Sequence, residues 1–459
     1  MDSVDRTQND KDAPVDQEQG QRPVNSEKRP KRPPKKNLNP LQAAISDFIQ
    51  NNPSPSVLSS HGLSPEGLVA SLPKRYTIYQ PLLLLPANAF TSSPTWASVY
   101  DSLNDGERHK LYESIVASFR NMGVTHIAIN APIAPTDESG SENRMRSPTG
   151  LLPLYGDFGL SPRSHRTISG EGEMQTQTQT QPVKEDFDKA FWVRTTQNGG
   201  IVQTWAPLYT MFSRGNITEK ARILGQGTRF DGLDDASLKG ERIQDISVVD
   251  MYAGIGYFVF SYLKRGVKRV WGWDINGWSV EGLRRGCVEN GWNCKVVSVN
   301  DDGTLQGGYQ TLVDGLRDTD RVVVFHGDNK FAAQILDRIR VMLEERKSWN
   351  RIRHVNLGLL PTSQPAWENA YRLLDRRHGG WVHVHENVDI RQIDEKREYI
   401  LDEFRRLSVI VDEKATSPRA NSIACHHIER VKTYAPGVMH CVYDIEISFD
   451  SEGDAVTPS

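Results

Sequence analysis

From residue 246 onward, short runs of apolar residues alternate with longer stretches whose apolar positions recur every three or four residues. The short runs are typical of strands and the longer stretches of amphipathic helices. The strand-like runs are ISVVDM, RVWGWDI, CKVVSV, RVVVFH, RHVNLGL and WVHVHE, and the helix-like stretches include residues 278–289, 331–347 and 368–377. This alternation predicts βαβ units on a mostly parallel sheet with helices on both faces.

The last two strand-like runs have no helix between them. HHIERVKTY and MHCVYDIEI flank the turn residues Ala435-Pro436-Gly437 and predict an antiparallel pair. A mostly parallel sheet that ends in an antiparallel strand is typical of class I S-adenosylmethionine-dependent methyltransferases and not of the two-halved dinucleotide-binding fold. The sequence therefore predicts an α/β, Rossmann-like domain of this class over residues 210–449.

A smaller mixed α/β domain is predicted over residues 63–209. Residues 76–85 and 126–129 are rich in β-branched and aromatic side chains, and residues 96–119 have a helical pattern. Two alternating runs around Asn198-Gly199-Gly200 predict a β-hairpin. Between these elements, residues 136–189 carry SGSE and QTQTQTQ tracts, a composition that predicts a flexible insertion.

Both ends of the chain have the composition of tails. Residues 1–40 are rich in Asp, Gln, Pro and Lys and predict a disordered segment, and residues 450–459 are a second short tail. The basic cluster KRPKRPPKK, residues 28–36, is interpreted first as solvated chain. A nuclear import signal and a phosphate-binding arm stay open as alternatives.

The composition limits which cellular compartment and which binding partners are expected. The 459 residues carry a net charge of −3, so a nucleic-acid partner must be bound by local basic patches. The four cysteines show no CxxC spacing, which favours a reducing compartment and argues against zinc. No apolar run approaches the roughly 20 residues of a membrane span. We expect a soluble, cytoplasmic protein without a membrane or metal partner.

The stretch VVDMYAGIGYFVF joins a strand to a helix through a glycine turn. Gly254 and Gly256 form the G-x-G of a nucleotide-binding turn, but Val259 occupies the third glycine position of the dinucleotide motif. A ligand without a pyrophosphate fits this spacing better. The predicted ligand is S-adenosylmethionine, with the acid Asp250 directly before the turn.

Further acids follow the neighbouring strands. Asp274 comes 24 residues after Asp250, close to the spacing of about 20 at which an acid meets ribose hydroxyls. Asp328 and Asn329 follow the run RVVVFH and are predicted to read the adenine edge. Because ligands of open α/β sheets bind beyond the carboxyl ends of the strands, these residues and the two glycines are expected to form one cofactor site.

Six segments together resemble one family. They are TMFSRGNITEKARI, VVDMYAGIGYF, WGWDINGWSVEGLRRGCVENG, HGDN, LGLLPTSQPAW and GGWVHVHENV, spread over roughly residues 76–447. In combination they resemble the tRNA wybutosine-synthesizing protein 2 family, a relative of the tRNA (guanine-N1)-methyltransferases. The pairing of MFSRGNITEK with LGLLPTS is specific, whereas the glycine-turn motif is shared by many transferases.

The resemblance implies a reaction and a substrate. The family moves the 3-amino-3-carboxypropyl group of S-adenosylmethionine to the tricyclic base 4-demethylwyosine, beside the anticodon of tRNA(Phe), in wybutosine biosynthesis. By resemblance, Ser213 and Lys220 contact the cofactor and Asp274 is the ribose acid, where the family commonly has glutamate. Arg214 and Asn216 are expected to help grip the amino-acid tail, although Asn216 is equally well interpreted as a helix cap. No general base is identified.

Contacts to the anticodon stem-loop are predicted from basic and aromatic residues. The candidate phosphate contacts are Arg284 and Arg285, Arg338 and Arg340, and the cluster Arg346, Lys347, Arg351 and Arg353. Each one taken singly is better interpreted as part of a solvated surface, so only the group indicates RNA binding. Trp205, Tyr209 and Phe212 are candidates to stack on the extruded base, although core packing is the more conservative interpretation. His383 and His385 share one strand face, and packing is favoured over metal binding.

Two other functions compete with the aminocarboxypropyl transfer. A tRNA (guanine-N1)-methyltransferase is the first, but those relatives carry an Asn-Leu-Pro motif where this chain has Asn356-Leu357-Gly358. A non-catalytic tRNA-binding module that keeps the fold as a scaffold is the second. The set of cofactor-side acids argues against that module.

Overall fold

Strands and helices follow one another along the chain largely as the hydrophobic pattern predicts. The structure is a computed structural model, and it describes residues 38–51, 65–131, 136, 143–146, 148, 150–159, 181–212, 216–238, 240–415 and 420–449. The described residues from Asn39 onward belong to one compact unit. Residues 1–37 of the predicted N-terminal tail and the predicted tail 450–459 lie outside the described residues.

The elements are numbered in chain order. The helices are α1 Pro40–Asn51, α2 Pro65–Ser71, α3 Pro94–Ser102, α4 Asp105–Phe119, α5 Lys184–Lys189, α6 Ile217–Ile223, α7 Val259–Arg265, α8 Gly277–Glu289, α9 Gly308–Asp314, α10 Ala332–Glu345, α11 Trp367–Leu373 and α12 Ile393–Ala415. The strands are β1 Thr77–Tyr79, β2 Leu82–Leu85, β3 His126–Ile129, β4 Leu152–Tyr155, β5 Val193–Thr196, β6 Val202–Trp205, β7 Ile246–Asp250, β8 Arg269–Asp274, β9 Asn293–Ser298, β10 Asp320–His326, β11 Arg351–Leu357, β12 Gly380–Asp389, β13 Ala420–Ala435 and β14 Val438–Phe449.

The eight strands β7 to β14 form one sheet in the order β13-β14-β12-β11-β7-β8-β10-β9. Strands β7 to β12 pair in parallel, whereas β14 is antiparallel to both of its neighbours, β12 and β13. The predicted sheet, mostly parallel and closed by an antiparallel strand, is confirmed. The last strand lies between β12 and β13 and not at the edge of the sheet.

The central strands are apolar because helices cover both faces of the sheet. All five residues of β7 are buried. Alternate side chains point to opposite faces, so Val249, Trp271 and Phe325 join one hydrophobic core while Val248 and Val270 join the other. A continuous apolar run, and not a polar-apolar alternation, is what such doubly covered strands require.

A second, four-stranded sheet has the order β1-β2-β3-β4, with β2 and β3 parallel. Helices α1, α3 and α4 pack against it around Trp96 and Phe119. Residues 152–155 form β4, an edge strand, and residues 184–189 form α5. Part of the range 136–189, predicted as a flexible insertion, is therefore regular structure, because the short run LPLY pairs with β3. Residues 175–180 of the QTQTQTQ tract lie outside the described residues.

The predicted hairpin at residues 191–205 is confirmed. Strands β5 and β6 pair antiparallel, and Gly199 and Gly200 take positive φ angles of 71° and 75° in the turn. The hairpin is fixed to α8, since the side-chain amide of Asn290, just after that helix, exchanges two hydrogen bonds with the backbone of Val202, of 2.7 and 2.9 Å.

Candidate active site

The glycine turn follows β7 and precedes α7. Gly254 and Gly256 have φ angles of +54° and +88°, a region that favours glycine. A Cβ at Gly254 would lie 2.7 Å from the ring of Tyr257, and one at Gly256 would lie 2.6 Å from the ring of Phe260. The backbone of the turn thus has both the conformation and the close packing that exclude side chains, as the sequence predicts.

Asp274, at the end of β8, holds this turn. Its Oδ2 accepts a 2.8 Å hydrogen bond from the backbone N–H of Gly254, and its Oδ1 accepts one of 2.8 Å from the N–H of Asn276. Burial raises the pKa of Asp274 to about 6, although the side chain keeps partial solvent exposure and the two N–H donors favour its ionised form. The predicted ribose acid therefore lies directly against the predicted turn.

Asp250, at the end of β7, is completely buried. Its Oδ1 accepts hydrogen bonds from the amide of Asn356, at 3.3 Å, and from the N–H of Tyr252, at 3.2 Å. Its Oδ2 has no hydrogen-bond partner among the described residues. Burial raises the pKa of Asp250 to about 7, and the charge of Asp274 adds to this effect. The site thus contains a buried carboxylate oxygen that lacks a donor.

Asp328 and Asn329 follow β10 beside the same turn. Asn329 donates a 2.7 Å hydrogen bond from its side-chain amide to the carbonyl oxygen of Met251, so it supports the backbone at the tip of β7. Asp328 accepts from the N–H of Lys330 at 3.0 Å and lies 3.4 Å from a guanidinium nitrogen of Arg144. The structure thus brings these two residues to the same edge of the sheet as Asp250 and Asp274.

Lys220 is buried on α6, with 4% of its surface exposed. Its ammonium donates to Gln203 at 3.2 Å and lies over the rings of Phe212 and Tyr257, 5.8 and 5.3 Å from their centroids. Burial lowers its pKa to about 8. Because Tyr257 also packs against Gly254, one ring connects the lysine to the glycine turn.

The other predicted residues of the FSRGN segment are only partly described. Ser213 and Arg214 lie outside the described residues. Asn216 is the residue before α6, but its side chain makes no capping hydrogen bond, and its Oδ1 is buried without a partner among the described residues. The capping interpretation of Asn216 is therefore wrong for the side chain, while the cofactor interpretation stays a prediction.

A buried ionic network anchors α6 and was not found from the sequence. Arg222 donates to both carboxylate oxygens of Glu219, each at 2.8 Å, and to Asp444 on β14. His383 Nδ1 lies 2.7 Å from Asp444, and its Nε2 lies 3.0 Å from His354. Burial alone would raise the pKa of Asp444, but His383 and Arg222 hold it well below its usual range. His383 thus has a structural role, and local pattern gave no signal of this long-range pairing.

The predicted phosphate contacts carry their own counter-ions. Arg284 and Arg285 both bind Glu281 on α8, with N–O distances of 2.7 Å, and Arg285 stacks 4.2 Å from the centroid of Trp192. They lie roughly 10 to 12 Å along α8 from its first residue, Gly277, at 1.5 Å per residue. Carboxylates also pair with other members of that set, namely Arg340, Arg346, Arg351 and Arg353.

The aromatic residues proposed to stack on a base pack against one another. Trp205 and Phe212 are stacked, with centroids 4.2 Å apart, and Tyr209 stacks on Trp278 at 3.7 Å. Trp205 and Tyr209 are buried. The conservative interpretation, core packing, accounts for these contacts.

A short polar segment that the sequence did not mark, residues 143–146, crosses the strand ends. Asn276 donates a 3.0 Å hydrogen bond to the carbonyl oxygen of Met145, and Arg146 donates to the carbonyl oxygen of Leu360. With Arg144 beside Asp328, this segment brings two guanidinium groups to the acids of the site. The polar stretch around these two arginines has no hydrophobic periodicity, so the sequence pattern could not distinguish them from other surface residues.

The loop after β11 carries the LGLLPTS motif, but its contacts were not predicted from the sequence. Glu386 accepts hydrogen bonds from the hydroxyl of Thr362, at 2.7 Å, and from the N–H of Ser363, at 3.2 Å. Lys396 pairs with the same carboxylate at 2.9 Å. Together with Arg146 at Leu360, these contacts hold the loop from two sides.

Two searches of the described residues bear on partners. None of the described helices combines the length and hydropathy needed to span a bilayer. Within the described ranges, no group of three or more His, Cys, Asp or Glu side chains is arranged to hold a metal ion.

The sheet order and the acid-flanked glycine turn define an α/β protein of the class I methyltransferase type. The tRNA wybutosine-synthesizing protein 2 of Schizosaccharomyces pombe is 37% identical over 375 residues, which cover 82% of this chain and 73% of that relative. The Saccharomyces cerevisiae protein of the same name is 30% identical and covers 85% of this chain and 79% of the relative. The chain belongs to the tRNA wybutosine-synthesizing protein 2 family, as its motifs predict.

Solved structures also resemble the chain. The crystal structure of P. horikoshii TYW2 in complex with MeSAdo matches 89% of this chain and 100% of that one, with 16% identity and a TM-score of 0.49. No protein-family model matches the chain.

Proposed function

We propose that the protein transfers the 3-amino-3-carboxypropyl group of S-adenosylmethionine to the 4-demethylwyosine base beside the anticodon of tRNA(Phe). The observation that carries this proposal is the position of Asp274 against the Gly254 turn, in a chain 37% identical to a tRNA wybutosine-synthesizing protein 2. The protein acts in the cytoplasm and binds the anticodon stem-loop of its substrate.

The residues at the strand ends fit the cofactor. Gly254 and Gly256 give the turn positive φ angles that other residues adopt only with strain, so the turn keeps the tight backbone of a nucleotide-binding site. Asp274 binds the ribose hydroxyls, since its oxygens keep lone pairs beyond the two N–H donors. The unpartnered Oδ2 of Asp250 needs a donor that the described residues do not supply.

The remaining predicted residues hold the two ends of the cofactor. Asp328 and Asn329 read the adenine edge, and Ser213 and Lys220 contact the amino-acid tail with help from Arg214 and Asn216. S-adenosylmethionine, when bound, supplies a carbon activated by the adjacent sulfonium. The chain selects which carbon reacts by holding the tail toward the RNA and the methyl group away from it. Only a carbon that lies about 3 to 3.5 Å from the nucleophile and in line with it can react.

We assign residues 63–209 as a small mixed N-terminal domain and residues 210–449 as the catalytic domain. Three large hydrophobic cores support this division, one around Trp96 and Phe119 and two on the faces of the large sheet, while a smaller cluster that contains Tyr79, Leu82 and Ile255 joins the two domains. Arg284 and Arg285 stay candidate contacts to RNA phosphates, since a partly exposed arginine can exchange a carboxylate for a phosphate partner.

Two differently labelled donors test the reaction. The full-length protein is incubated with tRNA(Phe) bearing the tricyclic base and with S-adenosylmethionine labelled either in the methyl group or in the aminocarboxypropyl carbons. We expect label in the RNA from the second donor and none from the first. Methyl label in the RNA would establish a methyltransferase instead, and label from neither donor would favour the non-catalytic binding module.

A further inference from the structure

The small sheet carries a groove at the carboxyl ends of its two parallel strands. The groove has a volume of about 560 Å³ and is lined by the ends of β2 and β3 together with Lys74, Arg75 and Tyr76. Its floor is regular structure, because Thr77 pairs with Leu84 in the β1–β2 ladder. Open α/β sheets place ligands beyond the carboxyl ends of parallel strands, so this position is a favourable one for binding.

The charge of this groove is unbalanced. Lys74 and Arg75 are exposed, and neither forms an ion pair with a carboxylate that the structure describes. No aspartate or glutamate is among the lining residues. Asn130, exposed at the end of β3, adds an amide that can donate a hydrogen bond. The groove therefore offers cationic and neutral donors without a carboxylate among its lining residues.

A second groove, beside α8, shows the contrast. It has about 520 Å³ and is lined by Arg194, Arg284 and Arg285, but Glu289 also lines it and lies 3.2 Å from Arg194. Arg284 and Arg285 are bound to Glu281. A polyanion entering there would have to replace existing carboxylate partners, whereas one entering at Lys74 and Arg75 would not.

The aromatic side chain in the groove is held rigidly. Tyr76 forms a T-shaped pair with the buried ring of Phe119, with centroids 4.9 Å apart, and is partly exposed. An aromatic ring next to two cations is the combination that single-stranded RNA binding uses, since bases or sugars pack on the ring while phosphates meet the cations.

The groove is separated from the chemistry. The β1–β2 hairpin carries Thr77 and Leu84 at the groove end and Tyr79 and Leu82 at the other end. Those last two residues share a hydrophobic cluster with Ile255 of the glycine turn. Two to three residues of strand, at about 3.3 Å each, place the groove roughly 7 to 10 Å further from the turn. A part of the substrate that binds in this groove is therefore distant from the reacting base.

We propose that this groove binds the sugar-phosphate backbone of the tRNA substrate outside the reacting nucleotide, with Lys74 and Arg75 as its phosphate contacts. The inference rests on the proposed tRNA substrate but not on the group transferred. Holding the backbone at a distance from the target base fixes the register of the RNA without reading its sequence.

Equilibrium binding of tRNA(Phe) to the full-length protein over a range of salt concentrations tests the proposal. The double variant Lys74→Ala, Arg75→Ala is expected to weaken binding by about tenfold near 0.1 M salt and to lower the salt slope by about 2, one for each lost phosphate contact. The charge-preserving variant Lys74→Arg, Arg75→Lys is expected to bind within about twofold of wild type. Both positions are exposed, so folding is not at risk.

A matched pair of exposed arginines on α12 provides the control. Arg405→Ala, Arg406→Ala removes the same number of charges, and those residues are paired with Asp402 and Glu403. Unchanged affinity and slope in the Lys74 and Arg75 variant, or an equal loss in the Arg405 and Arg406 variant, would overturn the proposal. The proposal would also be overturned if the Lys74→Ala, Arg75→Ala variant lost affinity for polyglutamate but kept its affinity for tRNA. That result would indicate an acidic protein partner. Because no catalysis is measured, failure of the label-transfer experiment is a separate result.

Discussion

The carboxylate of Asp274 accepts a 2.8 Å hydrogen bond from the backbone N–H of Gly254, so the acid at the end of β8 closes the turn that follows β7. The two residues are 20 positions apart in the sequence, and the strands β7 and β8 that lead to them are parallel neighbours. One carboxylate therefore shapes the backbone of the turn, and we propose that its remaining lone pairs bind the cofactor. Changes at Asp274 are expected to affect cofactor binding more than folding.

Asp274→Asn tests this relationship. The asparagine retains one acceptor oxygen but presents an N–H2 group where the second oxygen was, so it loses a charged acceptor at the site. Hydrogen bonds to charged groups contribute about 1.5 to 3 kcal/mol, which predicts a loss in S-adenosylmethionine affinity of roughly 10- to 150-fold by calorimetry. Asp274→Glu, which keeps the charge, is expected to bind better than the asparagine variant. Wild-type affinity in Asp274→Asn would remove the residue from the site.

Lys220→Met tests the buried ammonium. Its pKa of about 8 means that the charge is present at pH 7 and is lost as the pH rises through 8. If the ammonium binds the carboxylate of the cofactor tail, affinity in the wild type falls above pH 8, whereas the methionine variant binds weakly at every pH. A wild-type affinity that stays constant from pH 7 to 9 would contradict the assignment.

The effect of pH on folding stability at Lys220 is opposite to its expected effect on cofactor affinity. The folded pKa, about 8, lies below the ordinary value of 10.5, so the folded state binds fewer protons between these limits and the wild type gains stability as the pH rises there. Lys220→Met lacks this dependence and is expected to be the more stable protein at pH 7. Denaturant unfolding at pH 7 and pH 10 measures both effects, and a methionine variant less stable at pH 7 would show that the ammonium is well compensated.

Period and spacing were sufficient to predict the large sheet and the acids at the ends of its strands. Each strand of β7 to β12 is a short apolar run between helical stretches, and acids at the ends of parallel strands meet at one edge because the strands run in the same direction. The same reasoning predicts from the sequence that Asp250, Asp274 and Asp328 lie together.

Contacts between distant segments could not be predicted in this way. Arg222 and Asp444 are 222 positions apart, and neither breaks the local pattern of its own helix or strand. Arg144 and Arg146 lie in a polar stretch whose composition resembles a flexible insertion, yet they contact Asp328 and Leu360. Local sequence reports burial and periodicity, whereas such pairs depend on which elements the completed fold brings side by side.

Gly256→Ala tests the packing of the turn. Alanine at a φ angle of +88° is strained by about 1 to 2 kcal/mol, and its Cβ would also overlap the buried ring of Phe260 at 2.6 Å. Gly437→Ala is the matched control, since Gly437 has a φ angle of +77° and a Cβ added there would meet no atom within 4 Å. We expect a larger fall in melting temperature for Gly256→Ala. Equal falls would show that the ring of Phe260 moves aside at little cost.

Asp444→Asn tests the buried network that anchors the helix of Lys220. Removing one partner of a buried ion pair costs about 3 to 5 kcal/mol, because Arg222 and His383 lose their shared carboxylate. The folded pKa of Asp444 lies below the ordinary 3.8, so its contribution is complete at neutral pH and is lost as the pH falls below 3.8. Urea unfolding at pH 7 should therefore show a large deficit for Asp444→Asn and little change for Asp314→Asn, whose partner Arg346 is exposed. A deficit no larger than that control would show that Glu219 alone suffices to hold Arg222.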